Sequence, residues 1–217
     1  METLDELLSQ AEIAHGHLCA GQILGVRMAM LGCDRLGITE PKGKDRKRLV
    51  TFVEIDRCAT DAIGVVTGCR LGKRALKIRD WGKMAATFLD LSTNRAIRIA
   101  ARESSKQLAR QLHPEIENKN QQQMAAYREL SDADLFTEQW VSVPLHPREF
   151  PGYKGERVAC SICGESINFD RFLRDGESVL CIPCAHPEAR YYQPLARSPV
   201  VGGNAKQEAS TNCNPKS

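Results

Sequence analysis

Apolar residues recur at helical spacing from the start of the chain: Leu4, Leu7, Leu8 and Ala11 share one face of residues 3–14. A second helical run follows Gly21 through Ile23, Leu24, Met28 and Leu31 and ends near Gly32 or Gly37. KGKDRKR (42–48) interrupts the pattern with five basic residues and one acid, and is read as a solvated loop rather than a phosphate-binding patch. Residues 49–55 (LVTFVEI) are rich in β-branched and aromatic side chains and predict a strand. A short helix over 59–67 stops at Gly68, and 74–80, 84–91 and 95–101 read as three more strands, with turns at Asp80–Gly82 and Ser92–Asn94. Helical character returns over 103–112 and 119–131, broken by His113–Pro114. This order predicts an α+β core domain over 1–143, with helices packed on a mainly antiparallel sheet. Residues 144–156 carry three prolines and two glycines without periodicity and read as a linker. A small module fills 157–193, and 194–217 has little to bury and reads as a disordered tail in which Cys213 is an incidental thiol.

Composition adds little: a hydrophobic content of 42% and a net charge of +3 fit a globular chain and demand no polyanionic partner. The opening METLDELLSQAE lacks a basic region followed by an apolar one, and no stretch nears the roughly 18 apolar residues of a membrane span. With nine cysteines and no secretion signal, the expectation is a cytoplasmic protein whose thiols serve metals or chemistry rather than disulfides.

The strongest chemical signal is a pair of C-x2-C knuckles, Cys160/Cys163 and Cys181/Cys184, separated by seventeen residues. Each knuckle presents two thiolates from a tight turn, and two complete the closed tetrahedral shell of a structural zinc. Turn signals at Gly164–Glu165 and Asp175–Gly176 let the chain return the second knuckle to the first. His186 lies just beyond, an alternative ligand that four cysteines do not need.

A second constellation opens the chain. His15, His17 and Cys19 are spaced by two, so an extended backbone places them on one face, whereas a helix would diverge them by about 200° per step. Cys19 would then lie at a helix N-terminus, which favours thiolate. Cys58 and Asp61 share a helix face, and Cys69, close to three turns on, can end on the same side; Lys73 and Lys83 add positive charge nearby in sequence. Histidine, thiol and carboxylate together suit an open second metal site or nucleophilic thiol chemistry; the alternative is buried cysteines and locally satisfied histidines.

These segments, HGHLCAGQILGVRMA (15–29) and RCATDAIGVVTGCRLGKRALKIRDWGKMAATF (57–88), resemble the FmdE family of formylmethanofuran dehydrogenase proteins. The shared positions are His15, Gly16, His17, Cys19, Gly21, Gly25, Arg27 and Ala29; then Cys58, Asp61, Ala62, Ile63, Thr67, Gly68, Cys69, Gly72 and Lys73; then Asp80, Gly82 and Lys83. Ala20 departs from the family's usual proline, and Arg74–Ala75 stands where asparagine is common. The resemblance spans roughly residues 5–190. It implies an α+β core that is often dimeric, a treble-clef zinc finger, and a pocket built from the His-Gly-His-x-Cys segment and the second cysteine cluster. Through the family's name it also implies a molybdenum or tungsten partner enzyme of one-carbon metabolism. The competing expectation is an interaction protein without catalysis, its finger resembling those of DksA/TraR-type regulators. Arg171 and Arg174 are offset there by Asp170, Asp175 and Glu177, which disfavours nucleic acid.

Overall fold

The computed structural model describes residues 1–194 and divides them into two compact units, Met1–Lys154 and a second beginning at Gly155. The tail and Cys213 fall almost wholly outside the described residues.

The first unit opens with α1 (Leu4–His15), which begins in a reciprocal cap: Thr3 Oγ1 accepts from the Glu6 N–H and the Glu6 carboxylate accepts from the Thr3 N–H at 2.8 Å. Its buried face is Leu7, Leu8 and Ala11, as the periodicity predicts. Helix α2 (Ala20–Arg35) is the central element, with Ile23, Val26, Met28, Ala29 and Cys33 fully enclosed. After the loop come β1 (Leu49–Val53), α3 (Cys58–Thr67), β2 (Leu76–Ile78), β3 (Ala85–Asp90), β4 (Arg95–Ala101), α4 (Ser105–Leu112), α5 (Lys119–Glu129), α6 (Asp132–Leu135) and β5 (Phe136–Val141). The sheet order is β2-β1-β3-β4-β5; β1 and β2 run parallel across α3, and the other pairings are antiparallel. The α+β architecture is therefore as expected.

Alternation along the strands divides two cores. Leu49, Val53, Ala86, Phe88, Ile97 and Ile99 face the helices, while Val50, Phe52, Leu89 and Ala96 face the other way, against Val143 and Leu145. The structure departs from or adds to the sequence reading at three places. The strand expected over 74–80 shortens to Leu76–Ile78, because Leu71–Lys73 form a 3-10 turn and Arg74 takes a left-handed conformation (φ 57°). Strand β5 has no counterpart in the hydrophobic pattern because four of its six side chains are exposed, so an edge strand held by its backbone ladder to β4 shows no alternation. Within the segment read as a linker (144–156), residues up to Lys154 belong to the first unit: Leu145 covers the second core, Lys77 Nζ donates to Glu149 O at 2.6 Å, and Arg79 pairs with Glu149 at 2.6 Å.

Helices α2 and α3 approach each other closely. A Cβ at Gly25 would sit 2.5 Å from Ala59 O and 2.8 Å from Ala59 Cα, and one at Gly32 would strike the Phe88 ring at 2.4 Å. Only glycine permits this approach at either position.

The second unit pairs β6 (Val158–Ala159) with β7 (Ser166–Ile167) and β8 (Phe172–Asp175) with β9 (Ser178–Cys181), then enters α7 (Ile182–Ala185). Among the described residues no helix is long and apolar enough to cross a membrane.

Gly25→Ala is expected to lose about 1–3 kcal/mol of stability in urea denaturation, the cost of overpacking against a backbone that cannot yield. Gly72→Ala, which meets nothing within 4 Å, is expected to stay within about 0.5 kcal/mol of the parent. Equal losses would refute the close approach.

Candidate functional site

The approach of α2 and α3 sets their N-termini side by side. Cys19 is the N-cap of α2, in extended conformation, and its carbonyl accepts from Gln22 and Ile23 N–H. Cys58 is the first residue of α3. Gly21 lies between the two: a Cβ there would sit 3.7 Å from Cys58 Cβ and 3.8 Å from Cys19 Sγ. The two half-buried thiols interact, and the Cys58 thiol is pushed above its ordinary range by burial, by its hydrogen bond with Cys19, and by the nearby Cys19 and Asp61 charges. Position at a helix N-terminus does not win for Cys58.

His15 is not on an extended segment with His17 and Cys19, as the spacing of two suggests. It is the last residue of α1, and Gly16 ends that helix at φ 95° with its N–H bonded to Glu12 O. This turn still folds His15 back over the pair: its Nδ1 lies 2.8 Å from Asp61 Oδ2, and its ring is 4.9 Å from that of His17. Asp61, one turn beyond Cys58, therefore orients the imidazole and leaves Nε2 as the free nitrogen for a proton or a metal. His15, His17, Cys19, Cys58 and Asp61 form one neighbourhood at the N-terminal ends of α2 and α3.

Cys69 does not join them. The ten residues of α3 carry the chain about 15 Å, so the motif's second cysteine ends at the opposite end of that helix. There its thiol donates to Leu49 O at 3.5 Å and accepts from Thr51 Oγ1 at 3.6 Å, and burial pushes it up. Lys73 also lies at that far end, lining a cavity with Gly68 and Leu49. Lys83 sits over the Trp81 ring (5.7 Å), and the turn that carries both donates two backbone N–H groups to Glu54 O, four residues before Cys58.

Two further residues carry no sequence signal. Asn120 on α5 accepts from Ala20 N–H at 3.3 Å, capping α2 from a hundred residues away. Gln22 is fully buried in an apolar helix; its Nε2 donates to Ala11 O at 3.0 Å, and its Oε1 has no hydrogen-bond partner among the described residues.

In the second unit Cys160, Cys163, Cys181 and Cys184 offer sulfurs that all lie within 4.8 Å of one another, with Cys163 and Cys181 Sγ 3.9 Å apart. A tetrahedral shell with metal–sulfur bonds of about 2.3 Å has an edge of about 3.8 Å, so the four cysteines fit one ion. The knuckle is closed by Cys160 N–H to Glu165 O and Gly164 N–H to Cys160 O, with Gly164 at φ 74°. The second pair comes from the end of β9 and the first turn of α7, the treble-clef arrangement. Backbone N–H groups of Cys163 and Cys181 hold the Cys160 thiol down at about 6; Cys184 is pushed up to about 12, first by its hydrogen bond with Cys181, then by burial and the other two thiols. Four thiols so placed can ionise together only around a cation. Among the described residues no other group of three or more His, Cys, Asp or Glu side chains brings ligand atoms so close together.

Residues 14–137 match the family described as FmdE, molybdenum formylmethanofuran dehydrogenase operon. A "Probable S-adenosyl-L-methionine-binding protein" of Archaeoglobus fulgidus is 30% identical over 222 residues, covering 91% of this chain but 56% of its own length. The chain thus spans little more than half of that relative. A crystal structure of a tungsten formylmethanofuran dehydrogenase FmdE-like protein from Syntrophus aciditrophicus superposes with a TM-score of 0.60 over 87% of this chain and 95% of its own, at 22% identity, a likeness of fold.

If the thiols of Cys19 and Cys58 interact, Cys19→Ala lowers the Cys58 pKa and raises its thiolate fraction. Peptide-resolved iodoacetamide labelling of metal-free protein at pH 8 is expected to quicken at Cys58 by roughly three- to tenfold, with a smaller gain for Asp61→Asn. An unchanged or slower rate in Cys19→Ala would contradict the pairing.

Proposed function

The chain belongs to the FmdE family, and on that footing we propose that it is a metal-handling accessory protein of one-carbon metabolism of the formylmethanofuran type, serving a molybdenum or tungsten partner enzyme. The ion of the four-cysteine cluster is zinc in this reading: four thiolates close its shell and leave no position for water, so its role is structural. The observation that carries the reading is the convergence of Cys19 and Cys58 on Gly21 at two helix N-termini, beside a histidine oriented by Asp61.

Two thiols and two imidazoles form a donor set suited to a soft or borderline metal. Cys19 and Cys58 would hold it; no three of these donor atoms lie within 4.8 Å of one another, so His17 or the Nε2 of His15 would join only by a side-chain rearrangement, and a metal so bound would supply Lewis acidity. The chain's own contribution is clearer. Asp61 fixes the His15 ring, α2 and α3 direct their N–H dipoles toward the thiol pair, and Gly21 keeps the space between the thiols clear. Homodimer formation and a cytoplasmic setting complete the proposal.

Elemental analysis of protein purified under anaerobic, reducing conditions tests it. The parent is expected to carry about two metal ions per chain and Cys19→Ala/Cys58→Ala about one, with zinc retained in the finger. About one zinc in both would remove the metal-handling role and leave the core site to thiol chemistry.

A further inference from the structure

The cavity at the far end of α3 has a volume of about 430 Å³, within the range of small-molecule sites. Its lining is one-sided. Arg46, Lys47 and Lys73 bring three cations to it, no carboxylate lines it, and Leu49, Ala75 and Leu91 make an apolar floor.

The charges of the loop before β1 are otherwise spoken for. Lys42 pairs with Glu2, Lys44 with Glu40 at 2.8 Å, and Arg48 with Asp45 and Asp90 at 2.9 and 2.7 Å. Asp45, the one acid in the 42–48 run, points inward and also accepts from Thr39 and Glu40 N–H at 3.2 and 3.1 Å. It organises the loop and is spent in doing so. Arg46, Lys47 and Lys73 form no ion pair among the described residues. The run read as a solvated loop is therefore a folded turn that leaves two cations beside the cavity. Lys73 joins them from the 3-10 turn Leu71–Lys73, and Pro151 and Gly152 form a wall held by the Glu149 contacts to Lys77 and Arg79.

We propose that this cavity binds a nucleotide-sized organic phosphate, with Arg46, Lys47 and Lys73 holding the phosphate groups and Leu49, Ala75 and Leu91 receiving the body. Three converging cations without a counter-charge repel one another, and a multiply charged anion relieves that repulsion with charge-assisted hydrogen bonds. Guanidinium and ammonium donors match phosphate oxygens. The apolar floor selects for an organic body over an inorganic ion. The site lies at the opposite end of α3 from the Cys19–Cys58 pair, and accounts for the Gly68 and Lys73 end of a motif whose first half builds the thiol site.

Calorimetric titration of the full chain with ADP, adenosine and pyrophosphate tests the assignment. ADP is expected to bind more tightly than pyrophosphate and to weaken as salt rises, and adenosine is expected not to bind. Lys47→Glu/Lys73→Glu is expected to weaken ADP by roughly 30-fold or more, about two charge-assisted contacts, while the metal content of the thiol site stays at the parent value. Both side chains are exposed, and Lys47→Gln/Lys73→Gln keeps the test open should charge reversal harm folding. No ADP binding to the parent at about 1 mM, or undiminished binding to the variants, overturns the proposal. Pyrophosphate binding as tightly as ADP overturns the role of the floor, and adenosine binding as tightly overturns the role of the cations.

Discussion

The first unit depends on how closely α2 can approach α3. At Gly25 the backbone of Ala59 occupies the space any side chain would need, and Gly21, one turn earlier on the same stripe, keeps the gap open beside Cys19 and Cys58. Helices normally pack 8–10 Å apart, at a distance set by the side chains at the contact. With glycine there, two helix N-termini are drawn together and their first thiols meet. Gly32 extends the stripe against Phe88 and seats α2 on the sheet. One packing decision therefore fixes both the core and the chemistry at its edge.

Helix α3 then separates two environments. At its N-terminus Cys58, Asp61 and His15 form a partly exposed thiol–carboxylate–imidazole group, in which hydrogen bonds and charge set the behaviour of each member. At its C-terminus Gly68 turns the chain at φ 68° and buries Cys69 beneath β1. The same residue type is half-buried beside a second thiol at one end and a satisfied core residue at the other, and the difference is burial. Beyond Cys69 the exposed surface is cationic and shaped by the loop that Asp45 holds. The four-cysteine unit is a separate problem in stability: with two-residue and four-residue strands and few buried side chains, its organising interaction is the thiolate cluster.

Much of this is legible from residue patterns. The periodicity of Leu4, Leu7, Leu8 and Ala11, the β-branched run at 49–53, and the C-x2-C spacing each act locally, so their outcome is visible in a short window. The pairing of His15 with Asp61 is not, because it depends on the left-handed turn at Gly16 folding α1 back over α3. The displacement of Cys69 is legible from the spacing: eleven residues at about 1.5 Å rise put it about 16 Å from Cys58, so a shared helix face does not bring the two together. Strand β5 and the cap from Asn120 rest on backbone and long-range bonds that leave no mark on the hydrophobic pattern.

The glycine-permitted helix contact has its chemical consequence in the meeting of Cys19 and Cys58. Treatment of metal-free protein with dibromobimane, a short reagent that bridges two neighbouring thiols, followed by peptide mass spectrometry, reads that meeting directly. A bridged species joining the peptides of residues 19 and 58, strongly reduced in Gly25→Leu, is the expected result. Separate single modifications at the two cysteines, with no bridge between them, would contradict it.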